Sequence, residues 1–223
     1  FTGAVKVEVL NASNNSAALD ANNCRTSWTV LQTLSPNPTF VAANAGRLTA
    51  SFIENNAYRD IRIRITYPAT GVPAKIGCST DNFAIRPASF TGLTVRDADW
   101  QTAGTTRNLS NIAGAGSGIN YGSAAGNYDG LQEAQLASCV LPAAACTLGV
   151  LDELGAATTW TAGASAGSFF TATASYSDAG SFTMNLVDTA FSAVDASDGT
   201  PADCTASGRY ICSSTTPNVG RFV

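Results

Sequence analysis

The run Asp60-Ile61-Arg62-Ile63-Arg64-Ile65-Thr66-Tyr67 alternates apolar and polar side chains without a break. Successive side chains of an extended chain point to opposite faces, so this run reads as a strand with Ile61, Ile63 and Ile65 turned to a core. A helix would scatter the three isoleucines around its circumference, and their branching at Cβ suits a pleated surface. The same period recurs at Val5, Val7 and Val9 against Lys6 and Glu8, and at Phe182, Met184 and Leu186. Alternation of this kind belongs to antiparallel sheets with one face covered and one solvated. On that reading Arg62 and Arg64 lie on the wet face, paired with carboxylates across the sheet.

Around these runs the chain is a series of short segments separated by turn residues. Residues 28–34 form a strand closed by Ser35-Pro36-Asn37-Pro38, and residues 39–41 a shorter one. After Gly46, Leu48, Ala50 and Phe52 alternate with Arg47, Thr49 and Ser51, which predicts a strand over residues 48–53. Residues 11–23 are a loop, and Phe83 to Ile85 close the first half. In the second half residues 90–95, 119–121, 158–162, 167–176 and 181–188 read as strands, and residues 131–136 as a helical turn. Ser177-Asp178-Ala179-Gly180 is a turn signal that predicts a hairpin joining Tyr176 to Phe182. Arg86 precedes Pro87, which biases it to extended backbone, and Pro87 cannot donate to a ladder. The expected fold is all-β, with tandem antiparallel Ig-like β-sandwich domains over residues 1–86 and 87–223, stabilised by disulfides. The second carries long loops rich in Gly, Ser and Ala. Both chain ends fall in strand-like sequence, Phe1 to Leu10 and Val219 to Val223, as expected of an internal piece of a longer exported protein.

The chain has six cysteines and no histidine. CxxC pairs are absent and zinc sites commonly use histidine, so bridging is favoured over metal ligation. Neighbours along the chain are Cys24 with Cys78, Cys139 with Cys146 and Cys204 with Cys212, although spacing alone leaves the connectivity open. A Cys24–Cys78 bridge closes a long loop and contributes on the order of 4 kcal/mol if unstrained. Disulfides imply an oxidising compartment, so the expected location is extracellular or at a cell surface. No apolar stretch is long enough to cross a bilayer, and no membrane insertion is expected.

Charged residues make up 13% of the chain, with a formal net charge of −4; about 25% is usual. With no basic cluster, nucleic acid is not an expected partner. The absence of histidine removes Ser-His-Asp and Cys-His chemistry, and bridged cysteines leave no thiol nucleophile. Asp97 with Asp99, Asp152 with Glu153, and Asp195 with Asp198 are carboxylate neighbours in sequence, which does not place them across a sugar cleft. No enzymatic activity is expected. The glycines at 114, 116, 118, 122 and 126 lack the strand–helix frame of a nucleotide loop. No cofactor is expected unless it is calcium, whose hard oxygen ligands could come from Asp97, Asp99, Asp188, Asp195 and Asp198. Aspartates in turns also cap their own backbone, which competes with that reading. Trp100 is the candidate for stacking on a sugar, although Trp28, Trp100 and Trp160 all suit a core as well.

Cys78-Ser79-Thr80-Asp81-Asn82-Phe83-Ala84-Ile85-Arg86-Pro87 resembles the signature of bacterial MshQ-like proteins, associated with biogenesis of the mannose-sensitive haemagglutinin pilus, a type IV pilus. Ala57-Tyr58-Arg59-Asp60-Ile61-Arg62-Ile63-Arg64, Tyr176-Ser177-Asp178-Ala179-Gly180-Ser181-Phe182 and Val219-Gly220-Arg221-Phe222 fit the same pattern, in the same order. Members of that family are large exported proteins, some with a lectin-like domain ahead of this region. The resemblance implies a surface or pilus-associated role in adhesion or at a pilus tip, and it brings no catalytic residues. The expected function is therefore a non-enzymatic structural or adhesion module. Its expected partners are pilus or surface-protein subunits, or copies of itself, joined through strand edges. The alternative is a carbohydrate-binding module assisted by calcium, with glycans as partners.

Overall fold

In the computed structural model the described residues are 1–96, 118–123, 128–130, 133–141, 146–148, 151–152, 161–162, 168–171, 175–176, 180–213 and 218–222. The chain divides into two units, Phe1–Arg86 with Ser192–Gly199, and Pro87–Phe191 with Thr200–Val223. A short return segment from the region 87–223 thus groups with the first unit. Strands dominate both units, and their named ladders are antiparallel. The helical residues among those described are two 3₁₀ turns, Ala42–Asn44 and Ala193–Asp198. None of the described helices is long and apolar enough to cross a membrane. All six cysteines are bridged, as Cys24–Cys78, Cys139–Cys146 and Cys204–Cys212. Bridges of this kind form and persist in an oxidising environment.

The first unit contains β1 (Gly3–Ala4), β2 (Lys6–Asn11), β3 (Thr29–Thr33), β4 (Thr39–Phe40), β5 (Tyr58–Tyr67), β6 (Lys75–Cys78) and β7 (Phe83–Ile85). Its main sheet runs β3-β2-β5-β6, with β7 also on β5, while β1 and β4 form a separate ladder. Strand β6 pairs with the Arg64–Tyr67 half of β5. Strand β7 pairs with the other half, at Tyr58 and Ile61. Gly71, with φ +85°, supplies the left-handed backbone that lets β5 turn back into β6.

Register sorts the side chains into two faces. Val9 lies opposite Ile63 and Val7 opposite Ile65. Val9, Leu34 and Ile61 form a core there, with Phe52, Phe83 and Ile85 packed against it. On the other face Leu10 lies opposite Arg62 and Glu8 opposite Arg64. That face is only partly solvated, with the Arg62 and Arg64 side chains 20% and 29% exposed, and the expected carboxylate partner across the sheet is present for Arg64 as Glu8. It is covered by the loop before β3, whose Trp28 and Cys24 join Leu10, Ala12 and Cys78 in a second buried cluster. Arginine permits this because its stem packs on apolar surface while its head finds acceptors.

Residues 48–53 are not a strand. Their alternation is real, and Phe52 follows it into the core, but no described segment forms a ladder with it. A strand needs a ladder as well as a period.

The second unit contains β8 (Phe90–Arg96), β9 (Gly118–Ser123), β10 (Glu133–Leu141), β11 (Leu151–Asp152), β12 (Thr161–Ala162), β13 (Ser168–Thr171), β14 (Ser175–Tyr176), β15 (Gly180–Asp188), β16 (Ile211–Cys212) and β17 (Asn218–Phe222). One sheet runs β12-β13-β9-β8, and another centres on β15, flanked by β10 on one side and by β16 and β17 on the other. The expected helical turn at 131–136 is instead the start of β10, from Glu133 onward. Pairing with β15 from Glu133↔Val187 to Leu141↔Ser181 overrides the local helical preference of its Glu, Ala, Gln and Leu. The turn of the expected hairpin, residues 177–179, lies outside the described residues; among those described, Tyr176 pairs in the β11–β14 ladder and Phe182 in β15.

At the end of β15, Asp188 is fully buried. Its Oδ1 accepts the N–H groups of Ala190 and Phe191 at 2.8 and 2.9 Å, and its Oδ2 accepts the Tyr128 hydroxyl at 2.7 Å. The Tyr128 ring in turn lies 5.5 Å from Phe90 and 5.1 Å from Phe191, centroid to centroid. Gly130 passes so close that a Cβ there would lie 2.1 Å from Asp188 Oδ2 and from the Tyr128 hydroxyl oxygen. We expect Tyr128→Phe to destabilise the second unit by about 1–3 kcal/mol, because a buried carboxylate oxygen loses its donor. Gly130→Ala should cost more, since the inserted methyl displaces both partners. Denaturant unfolding of the two variants checks the order.

Candidate functional site

Two features of the first unit bear on a site: the arginine-bearing face of its sheet and the sheet's edges. On the face, Arg64 Nε donates to Glu8 Oε2 at 2.7 Å and Lys6 Nζ lies 3.2 Å from Glu8 Oε1. Glu8 is only 5% exposed. Burial pushes its carboxyl up, yet hydrogen bonds and charge from Arg64 and Lys6 outweigh burial and hold it below the ordinary 4.5. Arg62 lies with its guanidinium carbon 5.3 Å from the centre of the Trp28 ring. Its Nη1 donates to the carbonyls of Ser79 and Thr80 at 2.9 and 2.8 Å. Trp28 Nε1 donates to Asn15 Oδ1 at 3.3 Å.

These contacts surround a shallow cavity of about 390 Å³ lined by Asn15, Asn23, Trp28, Asp60, Arg62 and Thr80, among others. Trp28 is 7% exposed and already carries the Arg62 guanidinium. It has no free face on which a sugar could stack. The arrangement clamps the loop before β3 to the sheet, beside the Cys24–Cys78 bridge.

The two edges differ. In β6, Ser79 N–H bonds to Ile63 carbonyl, so alternation along the ladder directs the N–H groups of Ile76 and Cys78 away from β5. Cys78 N–H is taken by the Asn22 carbonyl at 2.9 Å. The loop tied down by the Cys24–Cys78 bridge therefore covers one end of this short edge. At the opposite edge, Leu34 N–H bonds to Val7 carbonyl at 2.9 Å, which fixes the phase of β3. Thr33 then directs its N–H and C=O groups away from β2; past the register shift Val30 lies opposite Leu10, whose own groups face β5, so Val30 also points outward, and it is 44% exposed. Neither has another backbone partner among the described residues. The register shift between Val9 and Leu10 is a bulge in this ladder, and among the described residues no segment pairs over the edge.

Of the aspartates singled out for calcium, Asp97 and Asp99 lie outside the described residues, as does Trp100. Asp188 is the buried cap described above. Asp195 accepts the Ala84 N–H at 2.9 Å and holds the Ala193–Asp198 turn against β7. Burial pushes its carboxyl up, opposed by that N–H; Asp198 adds to the rise and Arg86 opposes it. Asp198 itself is exposed. Among the described residues no three His, Cys, Asp or Glu side chains are grouped to hold a metal. The backbone groups of Val30, Thr33 and Asn22 were missed by sequence reasoning. Only the phase of hydrogen bonding reveals them, and side-chain pattern carries no record of that phase.

The chain matches no family model, no curated protein and no solved structure. The resemblance to MshQ-like proteins rests on the motifs quoted above.

Glu8 supplies a pH test. Its folded value lies below its unfolded one, so the unfolded chain binds the proton first and stability falls as pH falls. Its contribution is present above about pH 4.5 and is lost as pH drops through the lower folded value. Glu8→Gln should cost about 1–3 kcal/mol at neutral pH, with the gap to wild type closing under acid. Urea melts at a series of pH values give the comparison.

Proposed function

We propose that this chain is a non-enzymatic structural or adhesion module of an exported bacterial surface protein of the pilus-biogenesis kind. It is built as tandem Ig-like β-sandwich domains and associates with other subunits through a strand edge. The observation that carries this reading is the outward backbone of β3. Among the described residues Val30 and Thr33 have no backbone partner beyond β2, on an edge with no charged residue, since the strand is Thr-Val-Leu-Gln-Thr. Open edges template pairing with another chain, and proteins that avoid it blunt them with lysine, proline, a covering loop or a bulge; of these β3 has the bulge alone among the described residues. The bridged cysteines support the exported setting, and the likeness of Cys78 to Pro87 to the MshQ-like signature supports the pilus-associated one.

Size-exclusion chromatography with light scattering, followed by electron microscopy of natively isolated material, tests the reading. We expect oligomers, filaments or pilus-attached particles. Val30→Lys, which places a charge on the edge, should shift the population to monomer while changing stability by no more than about 0.5 kcal/mol. Monomers at all concentrations, in isolation and beside candidate partner subunits, would sink the proposal.

A further inference from the structure

Another cavity of the first unit, of about 280 Å³, lies on the arginine-bearing face, between the sheet and the loop that Cys24 ties down. Its floor is a cross-strand row, in which Thr66 on β5 lies opposite both Lys6 on β2 and Ile76 on β6. Arg64 stands two residues before Thr66 and so shares that face. The walls are Asp20, Arg25 and Thr26 from the loop and Pro73 from the turn between β5 and β6. Three positive charges, Lys6, Arg25 and Arg64, stand around it against two negative ones, Glu8 and Asp20. One positive charge is left over there, in a chain whose net charge is −4. Both Glu8 oxygens are engaged, Oε2 by Arg64 Nε and Oε1 by Lys6 Nζ. Neither Nη of Arg64 has a hydrogen-bond partner among the described residues, and the same holds for the hydroxyl of Thr26. On the loop side Asp20 Oδ1 accepts the Asn22 and Cys24 N–H groups, whereas Oδ2 has only the Asn22 side-chain amide within reach among the described residues, at 3.5 Å.

We infer that this cavity is a binding site for one acidic sugar unit, a uronate, held by its carboxylate on Arg64 and Lys6. The inference is independent of the strand-edge reading, since none of the lining residues belongs to β3. Glu8 fixes the guanidinium of Arg64 through Nε and leaves both Nη groups unused, a planar fork of the kind that takes a carboxylate with two parallel hydrogen bonds. A single carboxylate balances the one surplus positive charge. A phosphate, with up to two negative charges, would leave the site negative beside Glu8 and Asp20. Asp20 Oδ2 can only accept, so the ligand also carries hydroxyl donors, while the Thr26 hydroxyl serves in either sense. Pro73 and Ile76, the latter 39% exposed, offer apolar surface to the C–H face of a ring. The volume lies at the lower end of small-ligand cavities, about 300–1,000 Å³, and suits one ring better than several. No aromatic side chain lines the site, so charge and hydroxyl pattern do the selecting and stacking does not.

The test titrates the full chain with glucuronate and galacturonate, followed by NMR of the ligand and of the protein amides. Glucose and galactose serve as the same rings without the carboxylate, and inorganic phosphate as an anion without the ring. We expect saturable uronate binding with Kd on the order of 1 mM, and binding at least about tenfold weaker for the neutral sugars and for phosphate. Added salt should weaken the uronate complex, and the shifted amides should centre on Thr26, Arg64 and Thr66. Arg64→Lys keeps a cation opposite Glu8 but removes the fork, and should weaken uronate binding at least about tenfold. Ile76→Glu sets a carboxylate on the floor at an exposed position and should abolish binding while the amide spectrum stays that of the folded chain. It carries the test if Arg64→Lys does not fold. Neutral sugars that bind as tightly as the uronates overturn the role given to the carboxylate, and phosphate that binds as tightly overturns the sugar. Absence of uronate binding, or binding that the folded variants leave unchanged, overturns the site, and each of these outcomes leaves the strand-edge reading where it stood.

Discussion

Everything in the first unit depends on β5 being paired along both edges. β2 pairs with residues 61–66 on one side, and β6 and β7 divide the other. A strand held this way cannot slip by one residue without turning its isoleucines and arginines to the wrong faces. Fixed register is what makes the buried Glu8 tolerable. The ladder holds Arg64 directly opposite, so the carboxylate does not have to recruit a partner at the cost of ordering two long side chains. Buried charges are stable only where such geometry is supplied in advance. The ion pair is therefore a consequence of the ladder and not its cause.

The second face of the sheet closes by a different route. Residues 11–28 have little apolar content of their own, and a loop of that length would ordinarily stay loose. Cys24 bridges to Cys78 at the end of β6, with a sequence separation of 54, and this brings Trp28 under Arg62. Once the loop is tied down, Asp20 accepts N–H groups from Asn22 and Cys24 at 2.8 and 2.9 Å, and Asn22 is left with its carbonyl facing β6. One covalent link thus accounts for the second core and for the cover over the β6 edge. In the second unit the corresponding role falls to Asp188, whose two oxygens gather Tyr128 and the turn after β15.

The sequence made strands legible where side-chain period and pairing agree, as at Ile61, Ile63 and Arg64, and at Leu186. It misled where they part. Leu48, Ala50 and Phe52 alternate like a strand, but periodicity reports which face is apolar and is blind to whether a neighbour exists. Glu133 to Leu136 looks helical locally, and only the long-range partner β15 decides otherwise. Arg62 and Arg64 read as solvated because arginine usually is. Trp28, more than thirty residues away in sequence, covers Arg62, and Glu8 on β2 takes Arg64. The candidate edge was legible only as a general property of sheets. Which of its N–H groups point outward depends on the bond between Leu34 and Val7, and residue type does not encode that phase.

The contrast between the two edges bears on function more than either edge does alone. β6 is short, carries Lys75 and is capped by the Asn22 carbonyl, which are devices that discourage pairing. β3 has no charge and no described segment paired over it, and its one such device is the bulge opposite Val9 and Leu10. A sheet that only needed to avoid aggregation would guard both sides alike. On the proposed reading, one guarded edge and one open edge direct association to a single side and give it a polarity. The added strand would take a register set by the outward phase of Val30 and Thr33.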